Sequence, residues 1–275
     1  MNKYKRVSLV IPVYNEADRI HECLVAIAQQ QVKPYEVLVV DNNSTDGTAA
    51  IAGAFPFVTV LQEPRQGVVF ARDRGFNAAS GEIIARIDGD TIIAPNWIAT
   101  VSQLFQDESL DAVTGTVAYR DIAAASVVNR VDLFWRRRMS RILGRNVALQ
   151  GANMALRRSS WRAISAGVCH KRGQHEDFDI AIHITQRGGT VRFDERLHAS
   201  VCYRQARYNF KSFCEYVLIS PRTYLEHDIT CGRRIYEVVV FVILMYPIIS
   251  LLSKGYDQQH GSFSLPRVNP ATYID

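Results

Sequence analysis

Between Val7 and Asp90 the chain alternates short, unbroken apolar runs with segments of helical period. The apolar runs cover residues 7–12, 36–40, 58–61 and 82–87. A strand buried on both faces reads as such a continuous run, not as an apolar–polar alternation. The intervening segments, 17–30, 45–54 and 68–79, read as helices. In the first, Ile20, Leu24 and Ile27 share one face; Ser44 or Thr45 caps the second, and Ser80-Gly81 closes the third. Strands alternating with helices predict an α/β fold with a mostly parallel sheet flanked by helices. The clusters Tyr14-Asn15-Glu16, Asp41-Asn42-Asn43 and Asp88-Gly89-Asp90 each follow the C-terminal end of a predicted strand, the edge where open α/β sheets bind ligands. No GxGxxG follows the first strand and no GxxxxGK[ST] occurs, so the phosphate-cradling turns of dinucleotide and P-loop proteins are missing.

These clusters point to a chemistry. Asp88 and Asp90 stand two residues apart on a turn, and Gly89 lets a ligand approach closely. Such a pair can share one hard cation, Mg²⁺ or Mn²⁺, which offsets the charge of a nucleotide diphosphate and of the leaving group. Asp41 can accept the imide N–H of uracil, or the equivalent donor of another base; the same carboxylate also suits an Asx turn. Arg72 reads either as a phosphate contact or as a surface arginine. The run from His175 to Asp179 precedes a helix over 177–187. Acids favour helix N-termini, but three acids in four positions exceed a cap's needs. Transfer to a hydroxyl requires a general base, and Asp177 is the leading candidate, with Glu176 and Asp179 behind it. Arg204 and Arg207 read as anion contacts or as solvated arginines. His198 reads as a surface histidine or a further metal ligand, whereas His183, His227 and the remaining histidines show no ligand spacing.

Beyond residue 95 a helix over 97–105, a strand over 112–119, a turn and strand over 150–156 and a strand over 190–194 are predicted. Residues 127–143 form an amphipathic helix, with Val128, Val131, Trp135, Met139 and Ile142 on one face and Arg130, Arg137 and Arg141 on another. The chain has 32 Lys and Arg against 27 Asp and Glu, a net +5. Residues 130–145 hold six arginines and one aspartate, which equals that whole excess. Anionic lipid, a phosphorylated acceptor or plain solvent can face such a helix; no nucleic-acid partner is expected. Residues 238–252 are almost wholly apolar, yet shorter than the roughly 20 residues of a membrane span. They read as a membrane-contacting segment or as a core helix. The basic N-terminus lacks a long apolar stretch and reads as the first strand. Five widely spaced cysteines form no CxxC, which fits a reduced compartment better than a disulfide framework or a zinc site.

Taken together, VSLVIPVYNEADRIHECL, EVLVVDNNSTDGT, GVVFARDRGFNAASGEIIARIDGDT, GANMALRRSSW and HEDFDIAIHITQRGG resemble glycosyltransferase family 2 over about residues 7–203. The resemblance implies a GT-A fold and inverting transfer from a nucleotide sugar, with a lean toward UDP. It implies residues 1–207 as the transferase domain, 1–115 being the nucleotide-sugar half and 116–207 the acceptor half, followed by a helical region over 208–275. Pro12, Tyr14 and Glu16 would flank the nucleotide, Asp41 would bind the base, and Asn43, Arg72, Asn153 and Glu176 would also contact substrate. Asp88 would contact ribose or metal, Asp90 would hold the metal, and Asp177 would be the base. Asp73 stands where the family has Asn. The QxxRW signature of processive synthases is missing, which implies single-sugar transfer. The implied acceptor is lipid-linked or a glycan, at the cytoplasmic face of the membrane. A sugar-phosphate nucleotidyltransferase would need a glycine-rich basic loop that residues 12–16 do not supply, and the intact acidic clusters argue against a non-catalytic membrane module.

Overall fold

The computed structural model describes residues 4–122, 125–144, 147–171, 173–203, 209–229, 235–254, 256–257 and 262–263, with side chains through residue 251. Arg145, Arg204 and Arg207 lie outside the described residues. The first half holds strands β1 (Val7–Val13), β2 (Glu36–Asp41), β3 (Val58–Gln62) and β4 (Ile83–Arg86), with helices α1 (Ile20–Ala28), α2 (Thr48–Gly53) and α3 (Val68–Ala78). Then come β5 (Ile92–Ile93), α4 (Trp97–Leu104), β6 (Ala112–Tyr119), α5 (Ala125–Leu143), β7 (Met154–Arg157), α6 (Arg158–Ile164), α7 (Glu176–Gln186) and β8 (Val191–Val201). Helices α8 (Phe210–Glu226) and α9 (Ile235–Lys254) follow.

Eight strands form one sheet in the order β3-β2-β1-β4-β7-β6-β8-β5. Strands β1 to β4 are parallel, as expected. The second half is mixed: β7 runs antiparallel to β4 and β6, β8 parallel to β6, and β5 antiparallel to β8. After β1 the chain builds toward β3 on one side and then returns to place β4 on the other. The order therefore reverses between β1 and β4, where a crevice opens at the C-terminal strand ends.

The pleat explains the two cores. Leu9 and Ile11 of β1 face Leu24, Ile27 and Trp97 on one side of the sheet, while Val10 faces Phe76, Ile84 and Trp161 on the other. Each such fully buried side chain contributes roughly 1.5–3 kcal/mol by leaving water. A third cluster, Leu143, Ile182, Tyr224, Ile235 and Val239, ties α5, α7, α8 and α9 together.

Strand β8 extends well past residue 194; its later half alternates exposed Arg196 and His198 with buried Leu197 and Ala199, so no continuous apolar run marks it. Helix α8 contains Pro221, which interrupts a helical reading. No helix among the described residues is long and apolar enough to cross a membrane.

Candidate active site

The crevice between β1 and β4 is walled by loops that hold one another in place. Asn15 adopts a left-handed conformation, φ 52°. Its Oδ1 accepts from the Thr45 amide at 2.8 Å, while its own amide donates to Ser44 Oγ at 3.0 Å. The Glu16 amide donates to Thr48 Oγ1 at 2.8 Å. The loop after β1 is thereby fixed to the start of α2. Asn42 does the same for the loop after β3: Nδ2 donates to the Glu63 and Arg65 carbonyls at 2.9 and 2.7 Å, and Oδ1 accepts from the Gly67 amide at 2.7 Å. The resulting cleft of about 320 Å³ is lined by Pro12, Tyr14, Glu16, Asn42, Arg86 and Asp88 among others. Tyr14 is 49% exposed at its rim.

Glu16, Asp88 and Asp90 gather around Gly89. A Cβ on Gly89 would lie 3.1 Å from Glu16 Cγ and 3.0 Å from Val13 Cγ1, so a larger residue would crowd the acidic turn against the loop after β1. Burial, followed by the charges of Asp90, Asp88 and Glu16, pushes the Cys23 thiol up. Asp88 keeps 38% of its side chain exposed, while Asp90 and Glu16 are buried. This all-oxygen donor set fits a hard divalent cation.

Arg86 connects this turn to the far half of the protein. Its guanidinium contacts Asp88 Oδ1 at 3.3 Å and forms a close pair with Glu176. Arg72, wholly buried, donates to Glu176 Oε2 at 2.8 Å and to Asp73 Oδ1 at 2.6 Å. Gly151 rests on the Arg86 guanidinium, where a Cβ would approach Cζ to 2.6 Å. The Gly151 amide in turn donates to Asp177 Oδ2 at 2.8 Å.

Adjacent acids thus receive opposite treatment. Burial would raise the Glu176 carboxyl, but Arg86 and Arg72 outweigh it and hold it below the usual range. Burial and the neighbouring Glu176 charge push the Asp177 carboxyl up. A raised carboxylate is a better proton acceptor near neutrality.

Asp177 opens onto a second cavity of about 530 Å³ between α5, α8 and α9. Its walls are chiefly apolar, with Trp135, Phe213, Val239 and Met245 among them, and His175, Gln150 and Arg136 are polar points near Asp177. Arg136 Nη1 donates to Gln150 Oε1 at 2.6 Å. The arginine helix therefore turns its apolar face into this cavity.

Several residues expected at substrate also make contacts within the protein. Asn153 is fully buried and engaged within the protein: Oδ1 accepts from Trp97 Nε1 at 2.8 Å, and Nδ2 donates to the Thr116 and Leu197 carbonyls at 2.8 and 3.1 Å. It braces the sheet. Arg72 is buried between Asp73 and Glu176, and Glu176 pairs with both Arg72 and Arg86. Asn43 is exposed at φ 63° and donates to the Pro64 carbonyl at 2.7 Å, while its neighbour Asn42 lines the cleft. Asp41 is buried at the end of β2 and accepts from the Ser44 amide at 3.3 Å, the Asx-turn role. His198 Nδ1 shares a hydrogen bond with Thr116 Oγ1 at 2.8 Å. The sequence marks Arg86 only as the one charge within the apolar run 83–87; a strand buried on both faces must supply such a charge with partners.

A switch-point cleft ringed by carboxylates, with a buried carboxylate helix beside it, is the layout of a GT-A glycosyltransferase. Among solved structures, mannosyltransferase PcManGT from Pyrobaculum calidifontis, in complex with GDP-Man and Mn²⁺, matches with a TM-score of 0.70 and 21% identity, covering 96% of this chain and 78% of that one. At that identity the likeness speaks for the fold. The family model described as "Glycosyl transferase family 2" matches residues 8–164, more than half the chain, and the protein belongs to that family. Among curated relatives, glycosyltransferase AglE of Haloferax volcanii is 33% identical over 158 residues, 55% of this chain and 52% of that protein. The undecaprenyl-phosphate 4-deoxy-4-formamido-L-arabinose transferase of Serratia proteamaculans is 30% identical over 177 residues, 61% of this chain and 48% of that protein. The chain thus spans about half the length of these relatives.

Proposed function

We propose that the protein transfers a single sugar, with inversion, from a nucleotide diphosphate sugar to a hydroxyl on a lipid-linked acceptor. The observation that carries this reading is the meeting of a polar cleft and an apolar cavity at Arg86, Glu176 and Asp177. The donor lies in the first, with its base against Tyr14 and Asp41 and its diphosphate toward Asp88 and Asp90. A Mn²⁺ or Mg²⁺ ion held by those two aspartates supplies positive charge for the leaving diphosphate. The acceptor's lipid lies in the apolar cavity, and its hydroxyl reaches Asp177. Asp177 removes the proton as the oxygen attacks the anomeric carbon from the face opposite the diphosphate. The names of the Pyrobaculum and Serratia relatives, with GDP-Man and Mn²⁺ in one and undecaprenyl phosphate in the other, accord with these assignments. UDP is the first donor to test.

The same reading places the protein on the cytoplasmic face of the membrane. Val240, Leu244, Ile248 and Leu251 form an exposed apolar stripe on α9, Leu244 reaching 69% exposure, and Val127, Val131 and Phe134 are exposed on α5 beside the arginines. Basic and apolar groups combined in this way suit an interfacial helix.

A panel of UDP- and GDP-sugars, assayed with Mn²⁺ for donor hydrolysis and for transfer to polyprenyl-linked glycans, tests the proposal. Metal-dependent turnover of one donor, with product only in the presence of the lipid-linked acceptor, is expected. Equal transfer to the same glycan without its lipid would overturn the acceptor assignment.

A further inference from the structure

Away from both cavities, four side chains with metal-binding atoms face one another. Asp179 and His183 stand one turn apart on α7, His227 follows the C-terminal end of α8, and Cys169 lies between α6 and α7. One ligand atom from each, a thiol sulfur, a carboxylate oxygen and two imidazole nitrogens, lies within 4.8 Å of all the others. His227 Nε2 is 2.9 Å and His183 Nε2 3.4 Å from the same Asp179 Oδ1, and Cys169 Sγ is 4.0 Å from His227 Nε2.

Proximity alone would describe an ordinary hydrogen-bonded cluster, but the orientation differs. Asp179 is 0% exposed, and although both imidazole nitrogens stand at ion-pair distance from its Oδ1, neither is directed at it as a well-aligned hydrogen bond. The other carboxylate oxygen accepts from the Cys169 amide at 2.8 Å, which fixes the carboxylate as outer contacts fix metal ligands. Zinc bonds of roughly 2.0–2.3 Å in a tetrahedron set ligand atoms about 3.3–3.8 Å apart, and the observed separations straddle that range.

We propose that Cys169, Asp179, His183 and His227 bind one zinc ion. A thiolate, a carboxylate and two neutral imidazoles balance a dication, so the occupied site carries no net charge where burial penalises it. The sulfur and nitrogen ligands favour zinc over the magnesium or manganese suited to the oxygen-only set at Asp88 and Asp90. All four positions come from the protein, the mark of a structural site. The ion joins the segment before α7 and the end of α8 to the helix whose first turn carries Asp177. The individual histidines gave no ligand spacing in sequence, because the tertiary fold alone brings α8 back to α7. The inference does not depend on the donor or acceptor assigned above.

Metal content of the full chain, and of its Asp90→Asn variant, tests the site apart from the donor cleft. One zinc per chain is expected in both, surviving dialysis against a weak chelator. After stripping and reloading with Co²⁺, intense tetrahedral bands and a thiolate-to-cobalt band should appear. Cys169→Ser, close to isosteric, should lose the thiolate band and weaken zinc binding roughly a hundredfold. His227→Gln should lower the zinc content, and its melting temperature should no longer rise when zinc is restored. Zinc content in the wild type no greater than in Cys169→Ser, or cobalt spectra without a thiolate band, would overturn the proposal.

Discussion

The polar cleft and the apolar cavity are built by opposite means. The cleft is made of short loops at the ends of parallel strands, pinned by asparagine, serine and threonine side chains to backbone groups nearby. Its chemistry lies in compact clusters such as Asp88-Gly89-Asp90. The cavity is enclosed by helices from distant parts of the chain and lined mainly by apolar side chains. Polar recognition needs fixed donors and acceptors, which loops on a rigid sheet supply. An apolar chain needs only a shaped, dry surface, which packed helices supply without a motif. Between the two stand neighbouring acids, Glu176 paired with two arginines and Asp177 left to face the cavity.

The largest effect should separate those acids. Asp177→Asn is expected to reduce transfer by roughly 10²–10⁴-fold, while nucleotide diphosphate binding, measured by calorimetry, persists. Because burial raises the Asp177 carboxyl, its ionised form costs the folded state stability above the unfolded pKa. The same variant should therefore melt at a higher temperature. A drop in donor affinity matching the drop in transfer would erase the division between cleft and cavity.

Next in size is the bridge. Arg86→Met leaves Glu176 buried with less compensation and should cost about 3–5 kcal/mol in urea unfolding. Glu176 is held below its ordinary value, so its contribution is present above about pH 4.3 and fades as pH falls toward the depressed value. A variant as stable as wild type would mean that the two halves do not depend on this pair.

The pH profile gives a smaller but cleaner signal. If Asp177 is the base proposed above, it must be ionised to accept a proton, and kcat/KM should fall with decreasing pH before an ordinary aspartate, near about 3.9, would protonate. Binding of nucleotide diphosphate should not follow that limb; if it does, the titrating group belongs to the cleft.

Smallest is the surface. Replacing Arg130, Arg138 and Arg141 with Gln should weaken flotation on anionic vesicles by roughly fivefold per charge, with donor hydrolysis unchanged. Equal flotation would remove α5 from the membrane-facing side of the comparison.

The two regions also differed in how far they could be read. Residues 7–90 were legible because a strand buried on both faces must be continuously apolar, and because the acids at its ends stand within a few residues of one another. The cleft followed from that, down to Pro12, Tyr14, Glu16 and Asp88. The sequence does not separate Asn43 from Asn42, which lines the cleft, since one residue of turn geometry decides which side chain points inward. Arg72 and Asn153 looked available because sequence cannot show that their hydrogen bonds are already taken by Glu176, Asp73, Trp97, Thr116 and Leu197.

By itself the sequence determined the parallel half of the sheet, the acidic turn and the identity of the acid-rich helix, all properties of local periodicity and short spacing. The tertiary structure decided which of two adjacent acids is neutralised, what encloses the apolar cavity and how Cys169 comes to face His227. Those outcomes depend on distances between segments far apart in the chain, and periodicity carries no record of them.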